Sequence, residues 1–233
     1  MAMLLLATVA AATACAPQPA AEGPAPAPSA VPYVEGFTPD SLVLRLVTSQ
    51  GEIDVLLRAG WAPHGVQRAY EAFASGYYDD ARFFRTIRAF VAQFGIAADS
   101  ARSVTWRSRS IPDDTVRHTN RRGTLVYAAG GPNTRTVQLF FNLRDNPRLD
   151  SFGFAPIGEI VRGWDALDAL YTGYGDGPAA PAQDRVAREG EAYLAAEFPL
   201  LDQILTARVI RTWPAAPAPV PASMPTASTP AAR

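Results

Sequence analysis

Short runs of β-forming residues, each closed by Gly, Pro, Asn or Asp, fill the middle of the chain from residue 41 to residue 213. Runs of this kind are typical of strands joined by turns. The first two runs, 42–48 and 53–57, flank a turn and predict a hairpin. Four more strand candidates follow at residues 83–95, 124–129, 138–143 and 154–161.

Two segments show features of helices instead. Pro63 opens the first, Val66 and Phe73 lie at helical spacing, and Gly76 closes it, so Pro stands near the start and Gly past the end. Residues 164–171 predict a second helix. Many short strands with few helices favour a closed or nearly closed antiparallel barrel over an alternating β-α-β sheet. We therefore predict a mainly β fold.

The two ends of the chain differ from its middle. Residues 16–40 and 214–233 are dominated by Ala and Pro and contain few large apolar side chains. Such segments bury too little surface to offset the entropy lost on ordering. We predict one folded domain over residues 41–213, preceded by a linker and followed by a disordered tail.

The sequence before the linker predicts a targeting segment. Residues 1–14 are uncharged and mostly small or apolar, as in a signal peptide. They end in Ala-Thr-Ala before Cys15, the single cysteine, and this ending resembles the lipobox of bacterial lipoproteins. We expect Cys15 to be lipidated and to anchor an extracytoplasmic protein to a bacterial membrane. The alternative is an ordinary secretory signal that is cut near Cys15 and leaves no anchor.

Composition narrows the classes of function. With 21 basic and 22 acidic residues the net charge is −1, so no overall field attracts nucleic acid, and a small or peptidic ligand is expected. All the basic residues are Arg, which excludes Schiff-base chemistry. His64 and His118 are the only histidines and provide little material for a zinc site or a serine protease triad. We expect no metal or cofactor.

Residues 83–95 carry the most specific motif of the chain. They read Phe-Phe-Arg-Thr-Ile-Arg-Ala-Phe-Val-Ala-Gln-Phe-Gly, with Arg85, Phe90 and Gln93 leading into a glycine. This segment resembles the signature of the cyclophilin family of peptidyl-prolyl cis-trans isomerases. Further segments resemble that family in the same order, at residues 122–134 with 138–141 and at 149–150 with 154–158. The resemblance spans residues 42–172 and extends weakly to 207–210.

The resemblance implies a fold and an activity. The family fold is an eight-stranded antiparallel β-barrel capped by two α-helices, which agrees with the strand pattern above. The implied activity is acceleration of Xaa-Pro bond isomerisation, which assists the folding of extracytoplasmic proteins. It implies proline-containing polypeptides as substrates and needs no cofactor, and we expect a monomer.

The resemblance also assigns roles to individual residues. Arg85 is implied as the catalytic donor to the prolyl nitrogen, and Gln93 as the catalytic residue that orients it. The residues implied to bind substrate are Phe90, Val91, Ala129, Gln138, Phe140 and Leu149. Among these, Ala129 is expected to act through its backbone, and the others through a proline pocket or an amide group.

The chain departs from the family pattern at two places, and a different function on the same fold is also considered. Phe84 stands where the family usually has His beside the signature Arg, and residues 173–206 have no counterpart in the minimal domain. We interpret that insertion as an accessory loop with a short helix. The competing function is a non-catalytic proline-peptide-binding module or chaperone on the same fold, against which the retained Arg85 argues. A purely structural domain would have no binding groove.

Overall fold

Eight antiparallel strands form one curled sheet in the computed structural model, which describes residues 30–214. The strands are β1 (Ser41–Thr48), β2 (Gly51–Arg58), β3 (Arg85–Ile87), β4 (Val91–Phe94), β5 (Thr124–Tyr127), β6 (Leu139–Asn142), β7 (Pro156–Arg162) and β8 (Ile204–Trp213). Their order in the sheet is β3-β4-β6-β5-β7-β2-β1-β8. The predicted mainly β, antiparallel architecture is confirmed, and the candidate at 83–95 is a hairpin of two strands.

The sheet curls until its two edges meet. An isolated antiparallel bridge joins Arg82, just before β3, to Gln203, just before β8. Beside it the Phe83 N–H donates to the Asp202 carbonyl over 3.0 Å. Strand β1 pairs along its whole length with β2 on one side and with β8 on the other. The first and last strands of the fold are therefore neighbours.

The interior of the curled sheet holds the main core. In β1 the fully buried residues Leu42, Leu44 and Leu46 alternate with partly exposed ones, the period expected of a strand with one face on a core. Helix α1 (Pro63–Ala74) covers the core with a face that includes Tyr70 and Phe73. The same core receives side chains from all the long strands.

The described helices are more numerous than the sequence predicts. After α1 they are α2 (Ser100–Arg107), α3 (Trp164–Asp168), α4 (Gln183–Glu189) and α5 (Glu191–Glu197), with a 3-10 helix at Pro147–Phe152. The first predicted helix is confirmed, and the second ends at Asp168 rather than at residue 171. Helix α2 was not predicted because only Ser103 in it is buried, so it has no apolar stripe. Two helices, α4 and α5, lie in the insertion, where one was expected.

The cap of helix α1 comes from a distant residue. The residue before the helix, Ala62, makes no capping hydrogen bond through its side chain. The Asp114 carboxylate instead accepts hydrogen bonds from the backbone N–H groups of His64 at 3.0 Å and Gly65 at 2.8 Å. Asp114 is buried and forms an ion pair with Arg135, 3.0 Å away. This arrangement satisfies helix-end donors and joins the helix to the segment that precedes β5.

A buried polar network fixes the segment that follows β6. The fully buried Asn142 side chain donates to Asn120 Oδ1 at 3.0 Å and to Thr124 Oγ1 at 2.8 Å. Its own oxygen accepts from Asn146 Nδ2 at 2.8 Å. Asn120 Nδ2 in turn donates to Asp150 Oδ1 at 2.7 Å. The network therefore holds the turn and the 3-10 helix against the end of the sheet.

The described residues before β1 pack against helix α1 through Tyr70. The Tyr70 hydroxyl donates to the Pro32 carbonyl at 2.9 Å and accepts from the Val34 N–H at 3.1 Å. The ring of Phe37 meets the Tyr70 ring edge-on at 6.0 Å. The residues that contact Tyr70 lie within the predicted linker. The predicted signal segment, Cys15, the linker before residue 30 and the tail after residue 214 lie outside the described residues.

No helix within residues 30–214 has the length and apolar character needed to cross a membrane.

We expect Asn142→Ala to lower the free energy of unfolding by about 1–3 kcal/mol, because it leaves buried polar partners unsatisfied. Urea unfolding followed by circular dichroism measures the change. Thr206→Ala, on an exposed position of β8, is the control and should change stability by less than about 0.5 kcal/mol. Equal stability of the two variants would contradict the role given to the network.

Candidate active site

Three neighbouring strands place three of the predicted site residues in one row. In the register of the sheet Arg85 on β3 lies opposite Gln93 on β4, and Gln93 lies opposite Phe140 on β6. Side chains that face each other across antiparallel strands point to the same side of the sheet. Arg85, Gln93 and Phe140 therefore share one face of the sheet.

That face lies opposite the main core. Ala92 and Phe94 of β4 belong to the main core, whereas Val91 belongs to a separate apolar group. We call this group the outer apolar cluster. Its buried members are Val91, Val126 and Phe140, and its partly buried members are Phe90, Ala128, Leu149 and Phe154. All four residues of β4 are buried because both faces of the strand are covered.

The residues predicted to form the site line a single pocket of about 470 Å³. They are Arg85, Phe90, Val91, Gln93, Ala129, Gln138, Phe140 and Leu149. The pocket also has lining residues that the sequence analysis did not select, namely Ala128, Gly130, Thr134, Thr136, Phe154 and Gln183. The structure therefore brings all eight predicted residues together, and their individual roles stay predictions.

A chain of hydrogen bonds orients the arginine. Arg85 Nη1 donates to Gln93 Oε1 at 3.2 Å, and Gln93 Nε2 donates to Gln138 Oε1 at 2.9 Å. The Gln93 residue is only 6% exposed, whereas 24% of the Arg85 side chain is exposed. Arg85 is the one charged side chain among the described residues that line the pocket. The pocket lining thus presents one permanent positive charge among uncharged groups.

Gly95 allows the end of β4 to approach the segment before β6 closely enough for the hydrogen bond between Gln93 and Gln138. Gly95 follows β4 with φ of 108°, and a Cβ atom there would collide with the backbone of Val137 and Gln138. Only glycine adopts this conformation without strain. The close approach brings Gln138 within reach of Gln93.

The apolar part of the pocket is built from aromatic rings. Phe140, 5% exposed, meets Phe154 edge-to-face with ring centroids 5.8 Å apart. Phe154 belongs to the third segment of family resemblance but was not selected as a site residue. The signal that identifies it is an aromatic side chain directly after the turn residue Gly153. Such a surface suits a small saturated ring.

The main chain after β5 forms one wall of the pocket. The Ala128 N–H donates to the Gln138 carbonyl at 2.9 Å, which holds this segment beside the pocket. The Thr134 hydroxyl accepts from the Gly130 N–H at 2.9 Å and shapes the following turn. Among the described residues no hydrogen bond occupies the backbone N–H or C=O of Ala129. Both groups are free to bind an extended peptide.

The chain matches a family model over most of the folded region. Residues 43–189 match the model described as cyclophilin type peptidyl-prolyl cis-trans isomerase/CLD. The chain belongs to this family. The family resemblance and the enzyme class predicted from the sequence are confirmed.

Curated relatives agree with the family match. The chain is 31% identical over 142 residues to peptidyl-prolyl cis-trans isomerase CYP18-1 of Arabidopsis thaliana, a match that covers 58% of this chain and 88% of that protein. It is 32% identical over 132 residues to peptidyl-prolyl cis-trans isomerase A of Dickeya dadantii, with 54% and 68% covered.

A solved structure shows the same fold. The crystal structure of a cyclophilin type peptidyl-prolyl cis-trans isomerase of Cryptosporidium parvum superposes with a TM-score of 0.55 at 22% identity. The superposition covers 72% of this chain and 97% of that chain. The shared fold therefore covers nearly all of that protein, whereas part of this chain has no counterpart in the superposition.

Residues 173–206, the segment interpreted above as an insertion, pack beside the cyclophilin site, and the last three of them already belong to β8. Phe84, directly before Arg85, is fully buried in a second apolar cluster formed mainly by the insertion. The cluster consists of Phe84, Ile96, Val186, Tyr193, Leu194, Phe198 and Leu201, with Tyr174 packed against it. The family's usual His is thus replaced here by the residue that anchors the insertion.

The insertion also contacts the arginine itself. Asp176 Oδ2 lies 2.8 Å from Arg85 Nη2, and Asp176 Oδ1 accepts from Arg85 Nε at 3.2 Å. The hydrogen bonds from Arg85 hold the pKa of Asp176 below its usual value. The carboxylate is therefore ionised at neutral pH, and the ion pair is lost only as the pH falls through this lowered pKa. The sequence analysis missed Asp176 because it interpreted residues 173–206 only as an accessory loop with a short helix.

Proposed function

We propose that this chain accelerates cis-trans isomerisation of Xaa-Pro bonds in extracytoplasmic proteins and thereby assists their folding. The observation that carries the proposal is the position of Arg85. Its guanidinium is held by Gln93 beside the outer apolar cluster, within one pocket. A charged donor and an apolar surface are the two elements that this reaction requires.

The reaction has a barrier because of amide resonance. Rotation about a peptide bond costs about 18–20 kcal/mol, and uncatalysed isomerisation of an Xaa-Pro bond takes about tens to hundreds of seconds. No covalent bond has to break. A catalyst must therefore bind the twisted amide more tightly than either planar form.

The outer apolar cluster supplies the grip on the proline ring. Phe140 and Phe154 offer two aromatic faces, and Leu149 and Val91 complete an apolar surface. Burial holds the ring without fixing the carbonyl that precedes it, so this carbonyl is free to rotate. The open backbone groups of Ala129 bind the adjoining peptide in an extended conformation. Proline-containing polypeptides are therefore the substrate class.

Arg85 stabilises the twisted state. As the bond twists, the prolyl nitrogen regains its lone pair and becomes a hydrogen-bond acceptor. A planar guanidinium donates to this nitrogen while its other N–H groups stay bonded to the protein. Gln93 holds the guanidinium, and Gln138 holds Gln93. The donor is thus oriented before the substrate binds, which is the condition for electrostatic stabilisation of a transition state.

We expect Arg85→Ala to lower kcat/KM by about a hundred- to thousandfold, as for loss of one preorganised donor at a reacting atom. Peptide affinity should change far less, because the donor acts mainly in the twisted state. Arg85→Lys should restore only part of the rate because an ammonium lacks the planar fork that engages substrate and Gln93 together. Exchange NMR on a short Xaa-Pro peptide measures both rate and affinity.

The same measurement separates the enzyme from the binding module. An undiminished rate in Arg85→Ala, with circular dichroism showing a folded protein, would rule out the mechanism. Wild-type binding without turnover on a series of Xaa-Pro peptides would favour the non-catalytic module.

Phe140→Ala should weaken peptide affinity as well as rate, each by about tenfold, because it removes apolar surface worth about 1.4 kcal/mol from the pocket. Phe140→Leu, which keeps most of the buried volume, should lose less of both. A Phe140→Ala protein that is folded and binds peptide like the wild type would show that the ring does not contact proline.

The location proposed for this activity rests on the sequence before the domain. The apolar segment that ends at the single cysteine predicts export followed by attachment through Cys15. The Pro/Ala-rich residues that follow provide a spacer between the membrane and the domain. The enzyme would then act as a monomer on clients that fold near the membrane surface.

We expect the wild-type protein in bacterial cells to incorporate a labelled fatty acid and to sediment with membranes. Cys15→Ser should lose the label and move to the soluble extracytoplasmic fraction. Arg85→Ala is the control and should stay with the membranes. A Cys15→Ser protein that remains equally membrane-bound would show that the anchor lies elsewhere.

A further inference from the structure

The guanidinium of Arg85 is held from two sides. Asp176 occupies its Nε and one Nη2 donor, and Gln93 occupies one Nη1 donor. These contacts use three of the five N–H groups of an arginine. One N–H on Nη1 and one on Nη2 remain for a substrate. The carboxylate therefore engages the arginine without taking all the donors that catalysis needs.

The position of Asp176 is fixed by its surroundings. Its Oδ1 accepts from the Gly177 N–H at 2.9 Å, and Gly175 and Gly177 adopt φ of 58° and 86°, which favour glycine. Farther along the insertion, Glu191 forms an ion pair with Arg82, three residues before Arg85. Gln183 of the same insertion lines the pocket. The insertion is thus attached to the strand that carries the arginine.

We propose that Asp176 is a positioning residue for Arg85, which makes the insertion part of the active site. This inference rests on the proposed isomerase function. An arginine side chain has about 2 kcal/mol of rotamer entropy, and this one is partly exposed at the edge strand β3. Gln93 accepts a hydrogen bond only from Nη1 of the guanidinium. The Asp176 carboxylate accepts from Nε and Nη2 on the other edge, so the two residues together fix the guanidinium plane.

The geometry favours positioning over inhibition. Asp176 is not among the residues that line the pocket, and 53% of its side chain is exposed. A carboxylate that blocked the substrate would lie inside the pocket. Solvent screening also limits how far an exposed carboxylate weakens the positive field of the guanidinium. We therefore expect Asp176 to affect the orientation of the guanidinium more than the charge of the pocket.

The test compares three variants of the full chain on one Xaa-Pro peptide. Asp176→Asn should lower kcat about three- to tenfold and change peptide affinity less than about twofold, because orientation matters mainly in the twisted state. Asp176→Glu, which keeps the charge, should recover part of the rate. Asp184→Asn is the matched control, since it removes an exposed ion pair with Arg188 on α4 of the same insertion, and it should leave kcat unchanged.

The salt dependence of the isomerisation rate distinguishes a positioning role of Asp176 from a merely structural one. About 1 M NaCl screens charges over roughly 3 Å, so it should lower the wild-type rate towards that of Asp176→Asn. The rate of Asp176→Asn itself should hardly respond. Parallel salt responses in the two proteins would contradict the proposal.

The outcomes distinguish this inference from the proposed function. Wild-type turnover with an equal or faster Asp176→Asn rate would overturn the positioning role and leave the isomerase intact. Absence of wild-type turnover would reject the proposed function instead. In that case the exchange rate of the Arg85 Nε–H, assigned by comparison with Arg85→Lys, still reports on the ion pair. Equal exchange in wild type and Asp176→Asn would reject the contact itself.

Discussion

The site depends on the two-sided burial of strands β4, β5 and β6. Alternate residues of these strands belong to the main core, so the residues between them point away from it. No second sheet covers this outer face among the described residues. Loops and the 3-10 helix cover it in part, and the uncovered remainder is the pocket. The fold therefore produces an apolar binding surface as a direct result of strand periodicity.

Part of the pocket wall comes from segments outside the paired strands, and polar contacts hold these segments in place. Asn142 and Asn120 connect the end of β6 to Asp150, next to Leu149 in the outer apolar cluster. Asn146 Nδ2 donates to the Phe90 carbonyl at 3.1 Å. Buried networks of this kind are costly when one member is lost. Stability and substrate binding thus draw on the same side chains.

The sequence predicts the strands well because their signal is local. Runs of β-formers bounded by turn residues identify the strands as far as β7, whereas β8 is indicated only by the weak resemblance at residues 207–210. The motif around Arg85 identifies residues that the register then brings into one row. The missed features depend on distant partners. Helix α2 buries only Ser103 and has no periodic apolar pattern, and α4 and α5 pack on Phe84, about a hundred residues earlier in the chain. Asp176 reaches Arg85 across 91 positions, a separation at which local pattern carries no information.

The pairing of β1 with β8 has a consequence for how the domain forms. Strand β1 ends at Thr48 and its partner β8 begins at Ile204, and the two strands pair along the whole length of β1. This pairing closes the longest loop of the sheet. Contacts between such distant segments slow folding, because the entropy of loop closure is lost before the contact forms. A growing chain cannot complete its core until the last strand is available. During that interval the exposed core and the unpaired edge of β1 make the incomplete domain prone to aggregation.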